Sequence, residues 1–349
     1  VPDGVSSSIA EILSAKQAPQ FAVDLVQHAR EIARCEADPF YYAHTYVKTL
    51  DKDELNEVGT VRPYPTYRYL VDFIDTIVSP GRYIVPKTRQ MMLSWTMMGV
   101  VATHGWLFKD NFSFFCTSRK QEHVDDGGKN STPDSLHGKA IFVLRGLPDW
   151  MFNKKDLENV SQNKIINTTN HSYIKGESSR NAGRGGSYNY IFVDEFTYVE
   201  DQKGVFSGVL GSTYVTLVLA STPGRNPGIF EEVCQNPEEY QFKKIDLHWT
   251  KHPKRYEGKR DENGKPTSDW YKMKKASMVD KDLGAIDIDM EYGGVNQDLM
   301  FPQFLETTHV VAPDYIPKSF DKLYLGLDRN PNQKSGLLVV GKDKQERYW

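Results

Sequence analysis

Short apolar runs recur along this chain with the texture of buried strands. Arg82-Tyr83-Ile84-Val85, Phe112 to Ser118, Tyr190-Ile191-Phe192-Val193 and Thr213 to Ala220 are rich in aromatic and β-branched residues. They are too short and too continuously apolar for amphipathic helices, which predicts strands covered on both faces. Ile165 to Ile174 adds one or two more. Between them, apolar positions return at helical spacing from Ala22 to Ala33, Asp38 to Val47, Tyr67 to Ile77 and Leu136 to Leu147, and Thr96 to Ala102 can form a buried helix. Strands alternating with helices predict an α/β fold. Its sheet would be mainly parallel and flanked by helices, with ligands at the strands' carboxyl ends. After Phe230 the pattern changes to a lysine-rich stretch broken by Gly and Pro. Lys322 to Asp328 and Ser335 to Gly341 then read as two adjacent strands.

Composition narrows this picture in a few places. A length of 349 residues suggests two domains, the second incomplete. No apolar run approaches the length of a membrane span, and Val1-Pro2-Asp3-Gly4 has neither the basic nor the apolar part of a secretory signal. Cys35, Cys116 and Cys234 lie far apart, which argues for a reducing compartment and against a disulfide framework or a Cys-based zinc site. His248 and His252 have the spacing of zinc ligands on a helix, but Pro253 favours a solvated turn. The net charge of −3 rules out a chain that is basic overall. Any nucleic-acid contact must be local. The stretch from Lys243 to Lys275, with Trp249, Tyr256, Trp270 and Tyr271 interleaved, is one candidate, and Arg119-Lys120 is the other. A solvated surface is an equal reading of both.

The candidate chemistry sits at strand ends. Tyr190 to Val193 runs into Asp194-Glu195, and two carboxylates there are costly unless they meet water, a metal or a partner. This is the Walker B pattern, in which the first acid serves Mg²⁺ and the second acts on the attacking water. Arg82 to Val85 runs into Lys87-Thr88-Arg89-Gln90-Met91-Met92-Leu93-Ser94-Trp95: a strand, a cationic loop and a helix opening with a hydroxyl. That is the architecture of a phosphate-binding loop. The usual second Gly and Lys are replaced by Met92 and Leu93. Lys87 is then the nearest lysine for the phosphates, with Arg89 as its rival, and Ser94 keeps the Mg²⁺-ligating place. Thr213 to Ala220 ends in Ser221-Thr222-Pro223-Gly224, where small hydroxyls can sense a γ-phosphate. A Gly-rich approach to the acids carries Arg180 and Arg184. Arg184, ahead of Arg180, is the candidate arginine finger, since Gly183, Gly185 and Gly186 give the loop freedom.

As an ordered set, Lys87 to Trp95, Ser178 to Gly186, Val193-Asp194-Glu195 and Ser221-Thr222-Pro223 resemble the motifs of the tailed-bacteriophage terminase large subunits, over most of the chain from about Asp38. Met92 departs from that family's pattern, which has glycine there. The resemblance implies a P-loop ATPase core of the ASCE type and a DNA-translocating motor that uses ATP and Mg²⁺. It would work as a homo-oligomeric ring on double-stranded DNA with a portal protein and a small terminase subunit, in the host cytoplasm and without a membrane. Thr88, Gln90 and Trp95 would belong to the nucleotide site. The expected divisions are a helical segment over 1–60, the ATPase core over 61–232, a basic lid or linker over 233–315, and the first strands of an RNase H-like nuclease over 316–349. Asp328 would be a metal ligand of that nuclease, with no cutting expected from its first hairpin alone. The family often holds adenine through a Gln upstream of the loop; none is found here, and Tyr67 and Arg68 are read first as packing residues. A nuclease fragment, or a helicase-like ATPase unrelated to packaging, is the alternative.

Overall fold

The computed structural model describes residues 20–51, 60–178, 182–184, 186–224, 228–278, 284, 286–290, 319–328 and 336–345. Two helices come first, α1 (Gln20–Ala37) and α2 (Pro39–Tyr46). Asp38 starts α2 because its carboxylate accepts from the amides of Phe40 and Tyr41, while Pro39 sits where no intrahelical donor is needed. A hairpin follows, β1 (Lys48–Asp51) against β2 (Thr60–Pro63). Helix α3 (Arg68–Ile77) then leads into β3 (Gly81–Pro86). Past the loop at 87–94 the chain enters a π-helical stretch (Trp95–Ala102), continued by α4 (Thr103–Phe108). Next come β4 (Ser113–Thr117), α5 (Gln121–Val124), α6 (Leu136–Gly146), β5 (Lys164–Ile166), β6 (Tyr173–Gly176) and β7 (Ser187–Val193). The series ends with α7 (Gln202–Leu210), β8 (Thr213–Ser221), α8 (Ile229–Gln235), β9 (Lys243–Lys244) and α9 (Asp269–Ala276).

These strands form one sheet in the order β5-β6-β4-β7-β8-β3-β9, parallel except for β5 against β6. Successive side chains on a strand face opposite ways, and the core divides accordingly. Tyr83, Val85, Phe114, Cys116, Tyr190, Phe192, Val218 and Ala220 pack into one cluster with Cys35, Tyr42, Phe73, Met97, Trp106 and Leu144 from the helices. Their strand neighbours Ile84, Phe115, Ile191, Val193, Leu217 and Leu219 pack on the other face with Val205, Val209, Phe230 and Val233. The expected α/β fold with a mainly parallel, helix-covered sheet is the one observed.

Segments on both sides of the expected core pack into the sheet region. The N-terminal helices bury residues in the main cluster. Tyr42 in α2 hydrogen-bonds Thr103 through its hydroxyl (2.9 Å), and Cys35, Tyr42 and Ala43 are buried in the main cluster. At the other end β9 pairs with β3, so the sheet continues past 232. The last hairpin, β10 (Lys322–Asp328) with β11 (Gly336–Lys342), has a register that pairs Asp328 with Gly336. The side chain of Asp328 lies outside the described residues.

His104 ties α4 to α1. Its Nε2 lies 2.9 Å from the carbonyl of Cys35, which can only accept, so the neutral ring donates. Burial pushes its pKa down to about 4. The unfolded chain therefore binds a proton here at a pH where the folded chain does not, and stability is lost as pH falls from about 6.5 towards 4. Replacing His104 with Gln should flatten that part of a urea-melt pH profile, which otherwise carries on the order of 3 kcal/mol from this group.

Candidate active site

The sheet order brings three motif-bearing strand ends side by side. Strands β7, β8 and β3 are neighbours, with the acidic pair after β7, Ser221 ending β8, and the cationic loop after β3. Neighbouring strands lie about 4.8 Å apart, so side chains can span the outer two. They do. The Lys87 ammonium, on a nearly buried side chain, stands 4.0 Å from Asp194 Oδ1 and 3.8 Å from Glu195 Oε1. The Ser94 hydroxyl donates to Asp194 Oδ2 at 2.5 Å. Asp194 is 5 % exposed, and its Oδ1 also accepts the amide of Glu195. Lys87, Ser94, Asp194 and Glu195 thus form one cluster.

Three residues of this cluster and its loop take a left-handed backbone. Gln90, Met92 and Glu195 all have positive φ, near 60°. An L-residue pays roughly 1–2 kcal/mol for the left-handed region, so the loop takes the turn that glycine would make easily while carrying Met92 instead. Glu195 is turned out of the strand by the same conformation, leaving its carboxylate one-third exposed.

Other expected residues occupy different places. The Thr88 hydroxyl is committed: it donates to the carbonyl of Ile288 (3.1 Å) and accepts the amide of Trp249 (3.0 Å). Arg89 is largely exposed and pairs with Asp287 through Nε at 3.1 Å. Asp287 is itself nearly buried, and burial raises its pKa against the pull of Arg89. Trp95 packs edge-on to Phe142. The hydroxyls of Ser221 and Thr222 face the segment after the acids. Ser221 Oγ accepts the amide of Thr197 (3.2 Å), and Thr222 bonds the Tyr198 hydroxyl (3.2 Å). The Ser221 carbonyl accepts the amide of Lys87 (3.0 Å), so this strand end links the loop to the acids' far side. Arg68 pairs with Asp72 on the surface.

Arg184 precedes β7, and Asp194 follows that strand's other end. The stem of Arg184 lies beside Gly208 of α7. Arg180 lies outside the described residues. The aromatic residues of the basic stretch are also spent elsewhere. Trp249 is buried and stacks on Tyr271 with ring centroids 4.9 Å apart, and Tyr256 packs edge-on against it.

Three clefts surround the loop. One of about 500 Å³ is bounded by Lys87, Arg89, Arg119, Glu195, Tyr198 and Asp287. A second of about 300 Å³ is bounded by Lys87, Gln90, Ser94, Trp95 and Lys139. The third, of about 430 Å³, holds Arg62, Tyr67, Met92, His252 and Arg255. Among the described residues no group of three or more His, Cys, Asp and Glu side chains could cage a metal. Mg²⁺ does not need such a cage: one carboxylate, one hydroxyl and substrate phosphates suffice. Ser94 and Asp194 converge, and they are the residues that would hold such an ion.

Sequence reasoning missed Arg255 and Asp287. Arg255 was expected in the exposed basic stretch, yet it is 4 % exposed and holds the carbonyls of Arg89 and Gln90. No pattern in the sequence distinguishes it from the lysines around it.

No protein-family model matches the sequence, and no curated protein is similar to it. Solved structures are similar in fold. The large terminase of bacteriophage HK97 aligns with a TM-score of 0.50 at 11% identity, covering 90% of this chain and 66% of that one. The large terminase of a thermophilic bacteriophage, solved in complex with ADP, gives 0.45 at 12% identity over 79% of this chain, which spans 65% of the length of that protein. The ATPase domain of the Thermus phage P74-26 large terminase gives 0.43 at 12% identity, over 66% of this chain and 95% of that one. The seven-stranded α/β core has the fold of the phage large terminases.

Proposed function

We propose that this chain is an ATP-hydrolysing motor subunit of a viral terminase, one that drives double-stranded DNA into a procapsid. The observation that carries this reading is the meeting of Lys87, Ser94, Asp194 and Glu195 across the carboxyl ends of β3 and β7, with β8 between them. A cation, a hydroxyl and two carboxylates are what phosphoryl transfer to water requires, since that chemistry is mostly positioning and charge stabilisation. Lys87 would turn from the acids to the phosphates, and Ser94 with Asp194 would hold Mg²⁺. The ion, when bound, neutralises phosphate oxygens. Glu195 would orient the attacking water and accept its proton. Of the clefts, the third suits a nucleobase. Tyr67 and His252 meet there edge to face at 4.8 Å, and Met92 joins that wall to the loop.

DNA, a portal protein, a small terminase subunit, a ring of copies and a place in the host cytoplasm at the procapsid portal belong to this proposal. Arg255 is withdrawn from the DNA-facing set because it is buried. Lys254, Lys259 and Arg260 remain in it, and the exposed Arg119 and Lys120 are the other candidate. The decisive measurement is phosphate release from ATP with Mg²⁺, with EDTA, and with added duplex DNA. Mg²⁺-dependent release is expected. A chain that neither binds nor hydrolyses ATP, alone or with DNA, would overturn the reading.

A further inference from the structure

The loop after β3 makes its phosphate-facing turn without glycine, and something must hold it there. Two of its residues, Gln90 and Met92, stand in the left-handed region. Arg255 comes from outside the loop, on the segment between β9 and α9. Its Nη1 donates to the carbonyl of Arg89 and its Nη2 to the carbonyl of Gln90, both at 2.9 Å, and Nη1 also lies 3.7 Å from Met91 Sδ. The guanidinium lies over the Trp270 ring, 4.7 Å from its centroid. It is a planar fork gripping two successive carbonyls, with an aromatic plate behind it.

The consequence follows from the peptide plane. In a trans peptide the carbonyl of one residue and the amide of the next point in opposite directions. With the carbonyls of Arg89 and Gln90 turned to Arg255, the amides of Gln90 and Met91 are turned away from it. Neither amide donates to another group among the described residues. Successive backbone N–H groups aligned by a left-handed residue form an anion-binding concavity. Glycine usually permits such a turn; here a buried arginine enforces it.

We propose that Arg255 is the positioning residue of the phosphate loop, aligning the Gln90 and Met91 amides for phosphate from the opposite side. This rests on the nucleotide-site reading above. It also makes the segment after β9 part of the phosphate site, so that displacing this segment would loosen the grip on phosphate. Lysine could not replace the arginine. A single ammonium on a flexible stem cannot hold two carbonyls in fork geometry.

The test is R255A, with ADP and inorganic pyrophosphate as binding probes and ATP as substrate. Losing two charge-assisted hydrogen bonds should raise both dissociation constants, and KM for ATP, roughly tenfold to a hundredfold. The limiting kcat should change far less, because Lys87, Ser94, Asp194 and Glu195 stay in place. Guanidinium ion added below denaturing levels should restore part of the lost affinity. So should the second change in R255A/M92G, which gives the loop back its glycine. A folded R255A protein with wild-type affinities and KM would overturn the proposal. If R255A does not fold, R255K keeps the charge and stem and is expected to raise KM several-fold; a wild-type KM there would be equally fatal. A wild-type chain that binds neither ADP nor pyrophosphate would instead sink the nucleotide reading, and this proposal with it. Binding by wild type and R255A alike sinks this proposal alone.

Discussion

Replacing Glu195 with Gln is expected to leave ATP binding intact and to lower steady-state hydrolysis by ~10²–10⁴-fold, the usual contribution of a general base. The amide keeps the shape of the side chain and its left-handed backbone, but it cannot accept a proton. Glu195 suits this role because its carboxylate is one-third exposed, within reach of water, whereas Asp194 is nearly buried and bonded to Ser94. Filter binding of labelled ATP alongside phosphate release checks both halves of the expectation. Asp194→Asn is expected to give the contrasting result, weakening Mg²⁺-dependent binding as well as turnover, since Asp194 is the residue proposed to hold the ion. Wild-type hydrolysis in both variants would remove the acidic pair from the mechanism.

Replacing Lys87 with Ala is expected to cost the most nucleotide affinity of any single change in the loop, roughly tenfold to a hundredfold. Its ammonium is the buried cation nearest both acids, and its amide is anchored to the carbonyl of Ser221. Without it the acids face the phosphates with no intervening positive charge. Arg89→Ala should have a smaller effect, because Arg89 is mostly exposed and already paired with Asp287. Isothermal titration with ADP, in parallel on the two variants, separates the candidates. A near-normal Lys87→Ala protein beside a crippled Arg89→Ala protein would transfer the role to Arg89.

The strands and the acids were legible in the sequence for a physical reason. Parallel strands covered on both faces must be apolar nearly throughout, so Tyr190 to Val193 and Thr213 to Ala220 stand out. A charged pair at the tip of such a strand has few bland explanations. The loop could be found by its order along the chain, although two of its usual residues are missing. What holds the loop could not. Arg255 comes from more than 160 residues away in the chain, and nothing local to it records that its guanidinium ends under Trp270. The positive φ of Met92 was equally hidden, because methionine ordinarily argues against such a turn.

Lys243 and Lys244 form only two residues of strand, yet they close the open side of β3. A fragment cut at 232 would leave Tyr83, Ile84 and Val85 on a bare sheet margin, with unpaired amides and carbonyls offered to any other chain. Exposed margins of that kind recruit strands from neighbouring molecules, and lysine is one of the residues that discourages this. The two lysines therefore act as a selvedge for the most chemically important strand. An expression fragment of this protein should extend through at least Leu247, the last residue that bridges to Lys87.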